Sequence, residues 1–424
     1  MNVGESSKWR ALLDRFERAK EDHEERHRPS GFEFALASRI DSLNPAHWDA
    51  QTASASIFMQ RRYLGVIERS GPPGLQPRYA LLYRGSVPAA ALNMQLVELA
   101  GSQLVNPASA PDAADGSALK RAWKQAFSGW SAKALEQLKL RVLVGGNLFS
   151  WGFHGVAFGP GEDELSVWPG IAEALYRVRQ AERLAGRVDY VMVKDLDAAH
   201  EPGVQALKRY SYRALESDPD MVLAFRPGWS AYDDYLSSLN AKYRKAVKKF
   251  DKDLQAAGCT VEPLADLRAH AAQLHALHEQ VHRRAATRMV ALAPDYLPAL
   301  AEALGADFRC TVVRRGPELL GFVTALKDGE TAVGYYIGFD YAANETLPVY
   351  LRLLQAVIAD GLALGCRRLS LGRTALEPKA RLGAKPEPLR IWVRHKNPLL
   401  NILTHHLQRI VPHDSAPDRN PFKE

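Results

Sequence analysis

Cysteine is scarce in this chain. Cys259, Cys310 and Cys366 are odd in number and far apart among 424 residues, so neither a disulfide framework nor a CxxC metal pair is available. Long apolar runs are missing too. No stretch of about 18 uncharged apolar residues occurs, so no membrane-spanning helix is expected. The opening "MNVGESSKWRALLDRFERAK" has no apolar core of the kind a signal peptide needs, and the expected location is cytoplasmic. Phosphate-loop signatures are absent as well. The glycine-rich "GGNLFSWGFHG" (Gly145–Gly155) is neither a Walker loop nor a GxGxxG opening a helix, and it reads as an irregular strand exit.

What remains is the composition of a globular protein, 46% apolar and 24% charged, long enough for two domains with appendages. A net charge of +7 favours polyanionic partners wherever the charge clusters. Residues 1–30 form a charge-dense arm, with "KEDHEERHR" near its end. Residues 412–424, "PHDSAPDRNPFKE", read as a frayed C-terminal tail.

Between these ends the chain repeats itself. "RYALLYRGSVPAAALNMQLVEL" (Arg78–Leu99) reads as two strands joined at Arg84-Gly85, and "FRCTVVRRGPELLGFVTALKDG" (Phe308–Gly329) as two strands joined at Arg315-Gly316. Each hairpin precedes another strand, at Leu140–Gly146 and Thr331–Phe339. A helix ending at glycine follows, at Trp168–Gly186 and Leu347–Gly365, and then a last strand, at Asp189–Leu196 and Arg367–Arg373. The hairpin turns are spaced further apart than the helix ends, which places an insertion near residues 106–137. The order predicts two copies of one α/β domain, over 31–228 and 229–411.

Residues 230–258 carry the clustered charge. Tyr235, Leu239, Tyr243, Val247, Phe250 and Leu254 recur at three- and four-residue steps and predict one buried helical face. Lys242, Arg244, Lys245, Lys248 and Lys249 populate the remainder and offer either a solvated surface or a landing strip for a phosphate-bearing donor. "HEQVH" (His278–His282) matches HExxH, with Glu302 as a further candidate ligand. Arg283, Arg284 and Arg288 crowd that motif and disfavour a cation, so a zinc peptidase is the least favoured reading. His154 is a candidate proton carrier or a structural histidine. The carboxylate of Asp195, after Lys194, is expected at a strand's C-terminal end, where α/β sheets bind ligands.

Four segments carry a resemblance to a known family: "YLSSLNAKYRKAVKKF", "TVVRRGPELLGFVTAL", "YYIGFDYAANETLPVYLRLLQAVIADGLALG" and "LSLGRTALEPKARLGAKPEPL". Together they span roughly residues 229–394, and there the chain resembles the GNAT acyltransferase superfamily, in its tandem-domain branch similar to the Fem-type peptidoglycan-bridge aminoacyltransferases. The resemblance implies a mixed α/β (α+β) sheet in two tandem GNAT-like domains, the first degenerate, joined by a helical segment. It implies transfer of an acyl or aminoacyl group to a small-molecule or peptide amine. The donor would be acyl-CoA or aminoacyl-tRNA, with tRNA then a partner and no metal. A non-catalytic binding protein on the same fold is the alternative.

One departure bears on the donor. Acetyl-CoA enzymes of this superfamily carry a (Q/R)-x-x-G-x-(G/A) loop before the helix. Here "DYAANET" (Asp340–Thr346) has no glycine, and Glu345 repels phosphate. If the fold is active, Tyr336 and Asp340 are expected to relay the amine's proton. Ile337, Gly338, Asn344 and Thr346 are expected as donor contacts, and Arg373 and Lys379 as holders of an anionic part of a substrate.

Overall fold

The computed structural model describes residues 28–72, 74–100, 139–285, 291–398, 400–401, 417 and 419–423. The charged arm up to residue 27 and the expected insertion at 106–137 lie outside the described residues. The first copy opens with β1 (Glu33–Ala37), α1 (Pro45–Thr52) and α2 (Arg61–Ser70). Next come the hairpin β2 (Gln76–Arg84) and β3 (Val87–Ala100), then β4 (Lys139–Gly145), β5 (Val156–Phe158), α3 (Glu164–Ala181) and β6 (Tyr190–Leu196). A short α4 (Glu201–Val204) leads into β7 (Arg213–Ala224), and α5 (Tyr232–Ser238) and α6 (Ala241–Ala256) connect onward.

The second copy runs β8 (Cys259–Pro263), α7 (Ala271–Arg284), α8 (Tyr296–Leu304), then the hairpin β9 (Phe308–Arg315) and β10 (Glu318–Asp328). It continues with β11 (Thr331–Phe339), α9 (Tyr341–Thr346), α10 (Val349–Ala363), β12 (Arg368–Ser370), α11 (Leu376–Arg381) and β13 (Lys385–His395). Both hairpins fall at the turns read from the sequence, and both crossovers, β4–α3–β6 and β11–α10–β12, make parallel pairs. That handed crossover lets α3 bury Trp168, Ile171 and Leu175 on the sheet, while α10 buries Leu353, Val357 and Ile358.

Strand order shows how the copies join. One 13-stranded sheet runs β1-β2-β3-β4-β6-β13-β7-β12-β11-β10-β9-β8, with β5 off the path beside β3. Copy for copy, this order is a palindrome. The last strand of each copy has crossed to the other: β13 pairs antiparallel with β6, and β7 pairs antiparallel with β12. At the centre β7 and β13 pair with each other, from Arg213↔Val393 to Val222↔Lys385. The strand pairing therefore crosses the boundary expected between 228 and 229.

A second tie is apolar. One core cluster draws Trp48, Phe58 and Tyr63 from the first copy and Leu277, Tyr296 and Phe322 from the second. Each copy also keeps its own core under its crossover helix. Burying this much aromatic area across a seam is worth several kcal/mol, at roughly 25 cal/mol per Å².

Two expectations need correction. The basic helix predicted over 230–258 breaks at Leu239, because Asn240 caps α6 by accepting from the Tyr243 amide at 3.2 Å. The described end of the tail is docked, not frayed. Phe422 bridges to Leu239 and packs on Trp229 at 5.6 Å, while the Asn240 amide donates to Pro421 O at 2.9 Å. An aromatic residue and two backbone hydrogen bonds outweigh the loss of freedom in so short a segment.

The exchange predicts that residues 229–411 expressed alone do not fold. Without β6 and β7, the edge of β12 and both edges of β13 lose their partners. Circular dichroism and size-exclusion chromatography are expected to report aggregate or unfolded chain; a folded monomer of that half would contradict the assignment.

Candidate functional site

In each copy the crossover strands pair briefly and then part. β11 and β12 pair from Thr331↔Arg368 to Val333↔Ser370, and β4 and β6 from Val142↔Tyr190 to Gly145↔Val193. Beyond these points a gap opens on each side of the central pair. The next residue but one on the far strand has positive φ in both copies, Asp195 at 56° and Gly372 at 78°. The equivalence supports the repeat, since a left-handed residue at the same structural position is not a propensity accident.

The first gap is closed by its own chain. Lys194, buried, donates to Ser150 O at 2.7 Å and to the Asp195 carboxylate. Burial opposes the charge on Asp195, yet Lys194 and Arg373 hold its carboxyl below the usual range. This arrangement also pays for the strained φ of a non-glycine residue. Arg373, expected at a donor anion, donates to Asp195 Oδ1 at 2.7 Å and to Ser217 Oγ at 3.0 Å.

At the second gap Leu371 stands where the first copy has Lys194. A buried polar chain rims the opening. Trp151 Nε1 donates to Ser370 Oγ at 2.5 Å, and Ser370 Oγ donates to Asp220 Oδ2 at 2.6 Å. The peptide of Gly372 is held at both ends: its N–H donates to Asp220 Oδ1 at 2.9 Å, and its carbonyl accepts from Lys379 Nζ at 3.0 Å. Burial raises the Asp220 carboxyl above its ordinary value and pushes the Lys379 amine down to about 8, with Asp220 opposing the latter. Trp151, Ser370 and Asp220 were not legible in sequence. Asp220 and Trp151 belong to the first copy by number, and only the strand exchange and the loop after β4 bring them here.

Tyr336 lies on β11 past the divergence. Its hydroxyl donates to Phe149 O at 3.2 Å, its amide donates to Thr324 Oγ1 at 2.9 Å, and His278 meets its ring edge-on at 5.3 Å. Burial raises the phenol's pKa, so it stays protonated and is not a ready base. Behind it the hydroxyls of Tyr335 and Tyr296 lie 2.6 Å apart, those of Tyr335 and Tyr63 2.9 Å apart, and Asn147 Nδ2 donates to Tyr63 at 2.8 Å. Asp340 is not brought to Tyr336. Four residues of extended chain put about 13 Å between them, and the Asp340 side chain accepts from the Ala342 and Ala343 amides at 2.7 and 3.1 Å. It caps α9.

The other expected donor contacts are committed within the fold. Asn344 Oδ1 accepts from the Tyr350 amide at 2.9 Å, so it occupies an N–H of the first turn of α10 that would otherwise face a phosphate. Thr346 Oγ1 donates to Ala343 O at 3.3 Å. Ile337 packs half-buried on the second copy's core. Gly338 lets α7 lie against the strand, since an added Cβ would stand 2.7 Å from His278 N and 2.8 Å from the Leu277 carbonyl carbon.

The HExxH residues are used otherwise. Burial pushes the His278 imidazole down to about 3, with His282 and His275 adding to the effect. Glu279 pairs with Arg283 at 3.4 Å, and Glu302 with Arg268 at 2.6 Å. Among the described residues no group of three or more His, Cys, Asp or Glu is arranged to hold a metal ion. His154 is buried, its Nε2 lying 2.8 Å from Trp151 O. On α6, Lys242, Lys245, Lys248 and Lys249 are exposed, the last paired with Asp253 at 2.7 Å, while Arg244 donates to Leu239 O at 3.2 Å. Arg352 and Asp251, 2.5 Å apart, fasten α6 beside α10.

Two measurements follow from this geometry. Gly338→Ala is expected to cost about 1–3 kcal/mol in denaturant unfolding, because backbone and not a flexible tip must move. For Lys379, the folded value near 8 lies below the ordinary lysine value of 10.5, so the unfolded chain binds more protons between them. The contribution is therefore complete above pH 10.5 and is lost as pH falls toward 8. Unfolding free energies of wild type and Lys379→Met, measured across that window, are expected to diverge in slope, with wild type rising more steeply.

Comparison with known proteins agrees with this architecture. Residues 241–380 match the family described as an acetyltransferase (GNAT) domain. No curated protein matches the sequence. Among solved structures, FemX aligns over 87% of this chain and 99% of its own, with a TM-score of 0.52 at 10% identity. A tandem GNAT protein from the clavulanic acid biosynthesis pathway aligns over 87% and 99%, with 0.47 at 14%, and L-PGS from Bacillus licheniformis over 64% and 82%, with 0.41 at 12%. At 10% identity the likeness to FemX is one of fold. No helix among the described residues is long and apolar enough to cross a membrane. Residues 241–380, within the second copy, thus match an acetyltransferase (GNAT) domain, and the two copies together share the fold of FemX.

Proposed function

We propose that the chain is an N-acyltransferase working where β11 and β12 diverge, moving an acyl or aminoacyl group from a carrier to the amine of a small molecule or peptide. The divergence itself carries the reading. It frees backbone groups along the β11 edge, which can polarise an acyl carbonyl, and Leu371 stands here where Lys194 fills the first gap. The bound amine attacks the acyl carbon directly. A C–N bond forms, the bond from acyl carbon to the carrier's sulfur or oxygen breaks, and the amine's surplus proton passes through solvent, which returns a proton to the departing group. Tyr336, kept protonated by burial, steadies the departing atom with a hydrogen bond once its hydroxyl leaves Phe149 O.

Acyl-CoA is the donor the matched domain implies in general. The finer reading is aminoacyl-tRNA. The α10 amide that Asn344 occupies is unavailable to a pyrophosphate, whereas exposed Lys242, Lys245 and Lys248 on the neighbouring α6 suit a long polyanion. A non-catalytic binding protein is the second reading, favoured by the loop after β4. Its Phe149 carbonyl holds the Tyr336 hydroxyl, and its Trp151 lies over Gly372, where an added Cβ would be 3.1 Å from the indole.

Labelled acyl-CoAs and charged tRNAs, each offered with a panel of amines, test the proposal. Transfer is expected, with Tyr336→Phe lowering kcat about 10²-fold. Asp340→Ala is expected to cost about 1 kcal/mol of stability as a lost cap, with little change in kcat. Silence from every donor, with folded protein, would leave the binding reading standing.

A further inference from the structure

The outer face of α2 carries a cavity of about 340 Å³ that the acyl-transfer reading does not use. Its wall holds Arg39, Arg61, Arg62 and Arg69 against two carboxylates, Asp41 and Glu68. Those carboxylates are already engaged. Asp41 meets Arg61 at 2.9 Å, and Glu68 Oε1 accepts the Ile40 amide at 2.6 Å. Arg62 reaches out to Asp307 at 2.7 Å, and Arg61 has a second, looser carboxylate in Asp49 at 3.7 Å. Arg39 and Arg69 are exposed and have no carboxylate partner among the described residues. Arg61 Nε is buried without any hydrogen-bond partner.

Arg61, Gly65 and Arg69 follow one another at four-residue steps, so they line one face of α2. Gly65 gives that face a floor: a Cβ there would stand 3.2 Å from Arg69 Nη1. Arg39 and Arg69 thus bring to one concave wall two guanidinium groups without a carboxylate partner among the described residues, which a bound anion would pair. Guanidinium forks match tetrahedral oxyanions in geometry and carry their charge at every physiological pH. The cavity is also larger than one phosphate group needs, leaving space for a small organic portion.

We propose that this cavity is a binding site for a tetrahedral phosphate dianion, free or as a small phosphomonoester, held by Arg39 and Arg69. The site is independent of acyl transfer and is tested without it. Isothermal titration of the full chain at low ionic strength would use inorganic phosphate, glycerol 3-phosphate and succinate as probes. Saturable binding of a phosphate probe is expected, weakened about tenfold or more by Arg39→Gln and by Arg69→Gln. A tighter glycerol 3-phosphate than inorganic phosphate identifies the monoester as the source; the reverse order identifies the free ion. Both arginines are exposed, so the variants are expected to fold, and thermal unfolding supplies a second readout. Phosphate should raise the Tm of wild type and not that of either variant. Absence of saturable binding by both phosphate probes, unchanged affinity in both variants, or succinate binding as tightly as phosphate would each overturn the proposal.

Discussion

The pairing of β7 with β13 is the constraint on which this molecule rests. Among the described residues neither strand has a partner within its own copy: β7 pairs with β12 and β13, and β13 with β6 and β7. Remove these two strands and each half ends in a parallel strand with an open edge, a state sheets avoid. The apolar seam of Trp48, Phe58, Tyr296 and Phe322 then closes the helical layer over the joined sheet. Two domains that share strands and a core behave as one folding unit, whatever the repeat in the sequence implies.

The same exchange assembles the candidate site from three distant parts of the chain. β12 supplies Ser370, β7 supplies Asp220, and the loop leaving β4 supplies Trp151. The two gaps have diverged in a simple physical way. In the first, a lysine and a carboxylate neutralise one another inside the opening. In the second, the corresponding side chains are leucine and hydrogen, and the charges have moved outward to Asp220 and Lys379, which grip the two ends of one peptide. A peptide fixed on both sides is a rigid edge, and rigidity at an edge is what positions a reacting group.

Much of the fold was legible, and for stated reasons. Hairpins announce themselves by alternation around a turn, and α3 and α10 by apolar faces ending at glycine, so the repeat could be read directly. The strand exchange could not. Pairing is non-local, and nothing in "RALESDPDMVLA" says whether its neighbours are β6 or β12. That one ambiguity hid Asp220. The remaining differences are local competitions that propensity does not resolve. Asn240 won a cap where the periodicity favoured a continuous helix, Asp340 and Asn344 turned inward to amides of α9 and α10, and Phe422 found an aromatic seat that composition alone gave no hint of.

The exchange also sets an order of events during synthesis. β7 is complete once residue 224 is made, but its neighbours are residues 368–370 and 385–395. At about 5–20 residues per second, roughly ten to thirty seconds pass between the emergence of β7 and that of β13. Throughout that interval β6 and β7 wait as unpaired edges on a nascent chain. The newborn first copy cannot close before the last long strand leaves the ribosome, and its exposure to mispairing or chaperone capture is greatest in the middle of translation.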